Sequence, residues 1–263
     1  MQLTNKTIWI TGASSGIGEA LSIELAKKNN TLIISGRNEE RLQKTRQICE
    51  SNGSKTQIIP FDLSSEENVR QAAKEVLSIY PNINVLINNG GISQRSLISE
   101  TSSVVDQKIM EINYFSNIML TKMVLPYMLK NGEGQIAVTS SIVGKFGFPM
   151  RSSYSASKHA LHGFYETLRQ EMKKENIAVN IICPGRIKTN ISYHALDKEG
   201  EEHGKLDKGQ KNGMSAKKCA KKIIRGMEKN KKEIMVGGKE IIMVSLRRYF
   251  PALFYKIAGN IKS

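Results

Sequence analysis

The sequence predicts an α/β protein: a doubly wound parallel sheet of seven strands with helices on both faces, in a single domain over residues 1–263. Three observations carry this. Short β-branched apolar runs alternate with helical patterns along the whole chain. The runs are near-continuously apolar instead of alternating, as in strands buried on both faces of a parallel sheet. No internal repeat, low-complexity tract or linker divides the 263 residues, a length that one large domain can hold.

Thr7-Ile8-Trp9-Ile10-Thr11 is the first buried strand and runs straight into a glycine turn. An amphipathic helix from Glu19 to about Asn29 follows, with Leu21, Leu25 and Ala26 on one face. Strands are expected at 31–35 and 57–61, with a helix over 38–50 between them. Ser64 is the expected N-cap of the next helix, and Glu67 completes a capping box. A fourth strand at 85–88 precedes a long helical stretch at 102–130, with Pro126 near its end. A fifth strand at 135–141, a helix at 152–176 and a sixth strand at 178–183 come next, the last stopped by Pro184-Gly185. Segment 190–214 is polar and aperiodic, which reads as a substrate lid or a disordered loop. A helix at 216–229 and a seventh strand at 233–236 complete the domain, and 237–263 is a C-terminal extension.

Composition narrows the function classes. Three scattered cysteines without a CxxC pair give neither a disulfide framework nor a zinc site of the usual spacing, so no metal is expected. A polar N-terminus without a signal segment, and no apolar run long enough to span a bilayer, point to a reducing, cytoplasmic setting. The net charge of +15 is concentrated at the end of the chain, where residues 205–263 hold 16 Lys and Arg against 4 Asp and Glu. A basic region of this kind suits a membrane surface, an acidic substrate or a nucleic acid, or is simply a solvated surface.

After the first strand, Thr11-Gly12-Ala13-Ser14-Ser15-Gly16-Ile17-Gly18 spaces its glycines G-x3-G-x-G. Glycine lets the backbone turn sharply and approach a pyrophosphate, and the following helix N-terminus presents free N–H groups and a positive dipole end. Ser14 and Ser15 add hydroxyl donors. The second strand ends at Gly36-Arg37, with no acidic residue at 35–38 to take ribose hydroxyls. A guanidinium there suits a 2′-phosphate, which favours NADP(H). Asp62 follows the third strand, where it can accept from an adenine amino group or serve as a turn residue.

Tyr154 and Lys158 stand at i and i+4, so phenol and ammonium share a helix face. A lysine cation together with an oxidised nicotinamide favours the phenolate and makes tyrosine a usable acid/base. Ser141, 13 residues upstream, ends the fifth strand where its hydroxyl can polarise a carbonyl. Asn113 is a polar side chain among Ile109, Ile112 and Leu120, suited to carry a water toward Lys158. His159 and His162 are read as packing or surface histidines, and His194 and His203 lie in the polar segment.

These elements resemble the short-chain dehydrogenase/reductase family in its branch of about 250 residues. TGASSGIG at 11–18, Asn88-Asn89-Gly90-Gly91, Asn113, Ser141, Tyr154/Lys158 and Pro184-Gly185 with Thr189 stand in the family's order. Gly90 replaces the family's alanine, a mild departure. The stretch from Ser140 to Leu161 is similar to the 11β-hydroxysteroid-dehydrogenase-like NADP-dependent reductases, a likeness that does not carry a steroid substrate across. The resemblance implies a Rossmann fold and cofactor contacts from Gly12, Ser14, Ser15, Gly16, Ile17, Gly18, Arg37, Asp62, Leu63, Asn89, Gly90, Tyr154, Lys158, Pro184, Ile187 and Thr189. It implies a mechanism in which Tyr154 protonates the substrate oxygen while Ser141 steadies it. Lys158 tunes Tyr154 and holds ribose, and Asn113 maintains a proton relay. The expected partner is a small-molecule carbonyl or alcohol, and no nucleic acid, since no aromatic-plus-basic recognition pattern occurs. A homodimer or homotetramer is expected through the helices near 102–130 and 152–176. The apolar, aromatic and cationic segment 241–257 suggests a peripheral membrane contact. A 3-oxoacyl-acyl-carrier-protein reductase and a non-catalytic nucleotide-sensing regulator are the alternative readings.

Overall fold

The computed structural model describes residues 1–258, so the last five residues of the expected C-terminal extension lie outside the described residues. The first half of the chain comprises β1 (Thr7–Thr11), α1 (Gly16–Ala26), β2 (Thr31–Ser35), α2 (Glu39–Ser51), β3 (Lys55–Ile58), α3 (Glu66–Ile79) and β4 (Val85–Asn88). Next come α4 (Ser103–Met110), α5 (Ser116–Asn131), β5 (Gly134–Thr139), α6 (Ser152–Glu171) and β6 (Ile177–Pro184). The short β7 (Ile187–Lys188), α7 (Lys208–Lys211) and β8 (Met214–Ser215) lead to α8 (Ala216–Glu228), β9 (Glu233–Val236), α9 (Ile242–Tyr249) and α10 (Pro251–Ala258).

The main sheet has seven strands in the order β3-β2-β1-β4-β5-β6-β9, with every pairing parallel. The near-continuous apolar strands follow from cores on both faces. On β1, Ile8 and Ile10 pack with α1 and α8 residues such as Leu21, Leu25 and Ile223, while Trp9 between them packs with Val76, Leu120 and Tyr165 on the other side. Strand order reverses between β1 and β4, and the crevice outside the carboxyl ends at such a switch point is where a ligand fits.

Local chemistry moves several boundaries from their expected places. Asp62 Oδ1 accepts the Ser64 N–H at 2.9 Å in a turn, so Ser65, not Ser64, caps α3, accepting from Asn68 N, and the box with Glu67 does not form. β3 occupies 55–58 instead of 57–61, because its register with β2 begins at Thr31↔Lys55 and Pro60 has no N–H to extend the ladder. The long helical stretch divides. A π-helical turn over Glu111–Phe115 separates α4 from α5 and contains Asn113. The Ser116 hydroxyl and the Asn117 amide take up the Glu111, Ile112 and Asn113 carbonyls around that wide turn. Segment 190–214 is neither shapeless nor unattached. It contains α7, Met214 pairs with Ile187 in a two-stranded parallel sheet, and Leu196 bonds to the loop after β4.

Beneath the crevice, Asn88 at the end of β4 donates to Thr121 Oγ1 at 2.9 Å and Tyr165 Oη at 3.0 Å. This buried network ties β4 and α5 to α6, the helix that carries Tyr154 and Lys158.

Candidate active site

The first turn after β1 is closed by glycine where nothing larger fits. Gly12 has φ +65° and its absent Cβ would lie 2.7 Å from Gly90 Cα; a Cβ at Gly18 would lie 2.2 Å from the Gly12 carbonyl oxygen. The result is a smooth backbone wall at the N-terminus of α1. Ser15 stands at the N-cap position with its side chain making no cap bond, so the first N–H groups of α1 face the crevice. At the edge of this wall Ser14 packs beside Gly36, and Arg37 is exposed at the crevice rim together with Arg41.

A cavity of about 790 Å³ runs from this rim across the carboxyl ends of the strands. Of the sequence-predicted site residues, Gly12, Ser14, Ser15, Gly16, Ile17, Arg37, Asp62, Leu63, Asn89, Gly90, Ser141, Tyr154, Lys158, Pro184, Ile187 and Thr189 all line it. Gly18 and Asn113 do not. Gly18 sits behind the turn, and Asn113 lies fully buried beneath the floor. Asn89 spans the gap between strands, its amide donating to the Thr11 carbonyl at 3.2 Å while its Oδ1 accepts from Thr139 Oγ1 at 3.2 Å. At Gly90 a Cβ would meet only Leu63 Cδ1 closely, at 2.4 Å, the end of a side chain that can turn aside. In this chain Leu63 fills the space that an alanine methyl would take.

The polar end of the cavity gathers residues from four elements. Ser141 follows β5 in extended backbone, and its hydroxyl accepts from Val143 N at 3.3 Å and donates to the Pro184 carbonyl at 3.4 Å. On α6, Lys158 Nζ donates to the Thr139 carbonyl at 2.8 Å and lies 5.7 Å from the Tyr154 ring centre. Asn113 is held rigidly by the π turn. Its Oδ1 accepts from Ile92 N at 2.8 Å, and its amide donates to the Ile92 carbonyl at 2.9 Å and to Ser157 Oγ at 3.1 Å. Asn113 Oδ1 and Lys158 Nζ flank Gly91, where a Cβ would lie 2.9 Å from one and 3.4 Å from the other. Nearly all of the Asn113 side chain is thus committed to Ile92 and Ser157.

The electrostatics run partly against expectation. The protein groups alone hold the Tyr154 phenol above, not below, its ordinary range, because burial outweighs the Ser141 hydroxyl and the charges of Arg95 and Arg151. Burial also brings Lys158 down to about 8.

Two positioning residues carried no signal in the sequence. Gln94 is fully buried, and its Oε1 accepts from Ser153 N at 3.0 Å and Tyr154 N at 3.4 Å. It caps α6, whose own N-cap residue Arg151 makes no side-chain cap bond. Glu240, just before α9, accepts from Arg186 N at 2.7 Å and Gly238 N at 2.9 Å, fixing the loop after Pro184. Both act across long sequence separations, which no local pattern marks. Segment 190–214 is tied to the same region, for Asp207 receives Arg95 at 2.7 Å and Arg151 at 2.9 Å. His194 and Glu202, paired at 2.7 Å, border the cavity.

Comparison with known proteins accords with this architecture. The model of the short chain dehydrogenase family matches residues 6–200. The mouse protein named dehydrogenase/reductase SDR family member 7B is 39% identical over 263 residues, covering 98% of this chain and 81% of its own. Human dehydrogenase/reductase SDR family member 7 is 36% identical, covering 98% of this chain and 78% of its own. Among solved structures, a short chain dehydrogenase/reductase from Burkholderia phymatum in complex with NAD superimposes with a TM-score of 0.85 at 21% identity, covering 96% of each chain. With a glycine wall, a strand-order switch point and a family match over most of its length, the chain belongs to the short chain dehydrogenase family and is a short-chain dehydrogenase/reductase.

Proposed function

We propose that this protein is an NADP(H)-dependent oxidoreductase that moves a hydride between the nicotinamide and a carbonyl or secondary alcohol, with Tyr154 as acid/base. The observation that carries this reading is that Ser141, Tyr154 and Lys158 line the same cavity as the glycine turn and Arg37. The cradle fits a dinucleotide, since Gly12 and Gly18 let its backbone close where a Cβ would clash with Gly90 or with the Gly12 carbonyl, and the N-terminus of α1 opens onto it. Arg37 has no ion-pair partner among the described residues, and with Ser14 nearby it suits a 2′-phosphate. When bound, the nicotinamide supplies or accepts the hydride. In reduction, Tyr154 gives its phenolic proton to the carbonyl oxygen and Ser141 holds that oxygen by its hydroxyl. Lys158 restores and tunes the phenol and takes ribose hydroxyls, and Asn113 keeps α4, α5 and α6 in register beneath them. In oxidation each proton runs the other way.

The test follows NADPH and NADH oxidation with steroid, acyl-thioester, retinoid and sugar carbonyls. Turnover that is faster with NADPH and lost in Tyr154→Phe supports the reading. Turnover in Tyr154→Phe near the wild-type rate would overturn it. As partners we propose a second copy of the chain through α4, α5 and α6, and an anionic lipid surface for α9 and α10. On and between α9 and α10, Tyr249, Phe250 and Tyr255 are exposed beside Arg247 and Arg248.

A further inference from the structure

One turn beyond Lys158, α6 carries His162, and one turn further Glu166; β9 brings Glu233 against both. His162 Nδ1 lies 3.5 Å from Glu166 Oε1 and 3.7 Å from Glu233 Oε1, and the ligand atoms of all three residues lie within 4.8 Å of one another. The His162 side chain is only 9% exposed, yet its Nδ1 makes no hydrogen bond. The other ring nitrogen explains why. Nε2 sits 3.1 Å from Ser140 Oγ, and Ser140 gives its hydroxyl proton to the Lys158 carbonyl at 3.0 Å. With that proton committed, the tautomer that donates from Nε2, a nitrogen that also has Cys183 Sγ at 3.8 Å, satisfies the Ser140 oxygen and turns the Nδ1 lone pair toward the two carboxylates. Three electron-pair donors converging on one point need a cation. Lys145 neutralises the carboxylates, bonding Glu233 and lying 4.0 Å from Glu166, but it leaves Nδ1 unpartnered.

We propose that His162, Glu166 and Glu233 form a divalent metal site matched to Zn²⁺, with Lys145 as the internal cation that the metal displaces. One imidazole nitrogen and two carboxylate oxygens are a borderline N/O set that Zn²⁺ accepts and that Mg²⁺ and Ca²⁺ do not favour. A tetrahedral Zn²⁺ with bonds of about 2.0–2.2 Å holds its ligand atoms about 3.3–3.6 Å apart. The 3.5 and 3.7 Å separations at Nδ1 are therefore close to metal spacing with the imidazole where it stands. Glu166 and Glu233 open to solvent, at 49% and 36% exposed, which provides an entry path and a fourth position for water. Metal on Nδ1 fixes the Nε2–H tautomer, and its donation to Ser140 completes the chain to the Lys158 carbonyl. The site would staple β9 to the helix that carries Tyr154. It is independent of the catalytic reading, since it uses none of those side chains.

The experiment uses untagged full-length protein stripped with a chelator, then titrated with Zn²⁺ near neutral pH in competition with a chromophoric chelator. Metal content and thermal unfolding are read on the same samples. The expected result is one Zn²⁺ per chain and a raised melting temperature. Affinity should fall at least about tenfold in His162→Gln and in Glu233→Gln, and rise in Lys145→Met, which removes the competing ammonium. Glu233 lies at the surface, so its variant tests the site even where His162→Gln disturbs folding. His194→Ala should bind as the wild type does, which separates this site from the His194–Glu202 pair. Zn²⁺ binding unchanged in Glu233→Gln, or absent in both the wild type and Lys145→Met, would overturn the proposal.

Discussion

Tyr154 sits half-buried at the polar end of the crevice, where its surroundings hold the phenol protonated through neutral pH. That is the form needed to protonate a carbonyl, whereas alcohol oxidation needs the phenolate. Oxidation should therefore accelerate as pH rises into the alkaline range, and carbonyl reduction should stay level through neutral pH and then fall. Paired pH–rate profiles for the two directions check this, and an oxidation rate that falls with rising pH would contradict the role of Tyr154. Tyr154→Phe should lower turnover by about 10²–10⁴-fold, the usual worth of a positioned acid. Its NADPH affinity should stay near the wild-type value by fluorescence titration, since the ring remains. Arg37 poses a different question at the rim. A charged hydrogen bond to a phosphate is worth about 1.5–3 kcal/mol, and the exposure of Arg37 argues for the low end, so Arg37→Ala should weaken NADPH about tenfold. NADH binding should be unchanged, and equal losses for both cofactors would remove the basis for NADP(H).

At the scale of elements, the helix bearing Tyr154 and Lys158 depends on a residue from elsewhere. Gln94 satisfies the first N–H groups of α6, and its amide nitrogen donates to Ser96, Thr101 and Ser152. Gln94→Ala leaves a buried helix start uncapped, so it should cost about 1–2 kcal/mol of stability, as N-cap losses do. Turnover should fall while NADPH affinity changes little, because the start of α6 positions Tyr154 and not the glycine wall. Urea unfolding with steady-state kinetics tests both halves, and a variant of wild-type stability would show that α6 needs no cap from the loop. The π turn between α4 and α5 works in the same sense. It widens the helix at one place so that Asn113 can reach Ile92 and Ser157, a distortion often found at functional sites.

Across the whole molecule, the C-terminal helices divide their residues between the core and the surface. Phe254 is buried against Phe146, with ring centres 5.0 Å apart, so α10 packs on the segment after Ser141. Ile242, Tyr249, Phe250, Leu253 and Tyr255 face outward, with Arg247 and Arg248 among them. No helix among the described residues is long and apolar enough to cross a membrane. An amphipathic pair lying in the headgroup region matches this arrangement, with roughly 1 kcal/mol of attraction to anionic lipid per surface cation. The full-length protein should co-sediment with anionic vesicles at low salt and much less with neutral ones. Phe250→Ser with Tyr255→Ser should reduce binding without loss of turnover. Protein that remains in the supernatant with anionic vesicles would leave these side chains as an interface with another chain. Val104, Phe115 and Tyr127 are exposed on or beside α4 and α5, and light scattering at micromolar concentration should give a dimer through that face.

Much of this protein was legible in its sequence, because the determining physics is local. Apolar runs buried on both faces specify a parallel sheet, and the G-x3-G-x-G spacing after β1 specifies a backbone wall. The i, i+4 spacing of Tyr154 and Lys158 specifies a shared helix face. Caps and strand ends moved by a residue or two where a neighbouring side chain competed, as Asp62 did for the Ser64 N–H. Tertiary structure alone decided what depends on distant partners. Gln94 caps a helix that begins 58 residues later, and Glu240 pins the loop after Pro184. Leu63 takes the space beside Gly90 that a methyl would need. The desolvation of Tyr154 is set by packing around the crevice and inverts the direction expected from its lysine neighbour. His162 and Glu166 share a helix face in the sequence, but Glu233 joins them only because β9 pairs with β6 beside α6. Backbone propensity and periodicity are written in neighbouring residues. Burial, capping at a distance and the meeting of charges arise only when the sheet closes and its helices pack upon it.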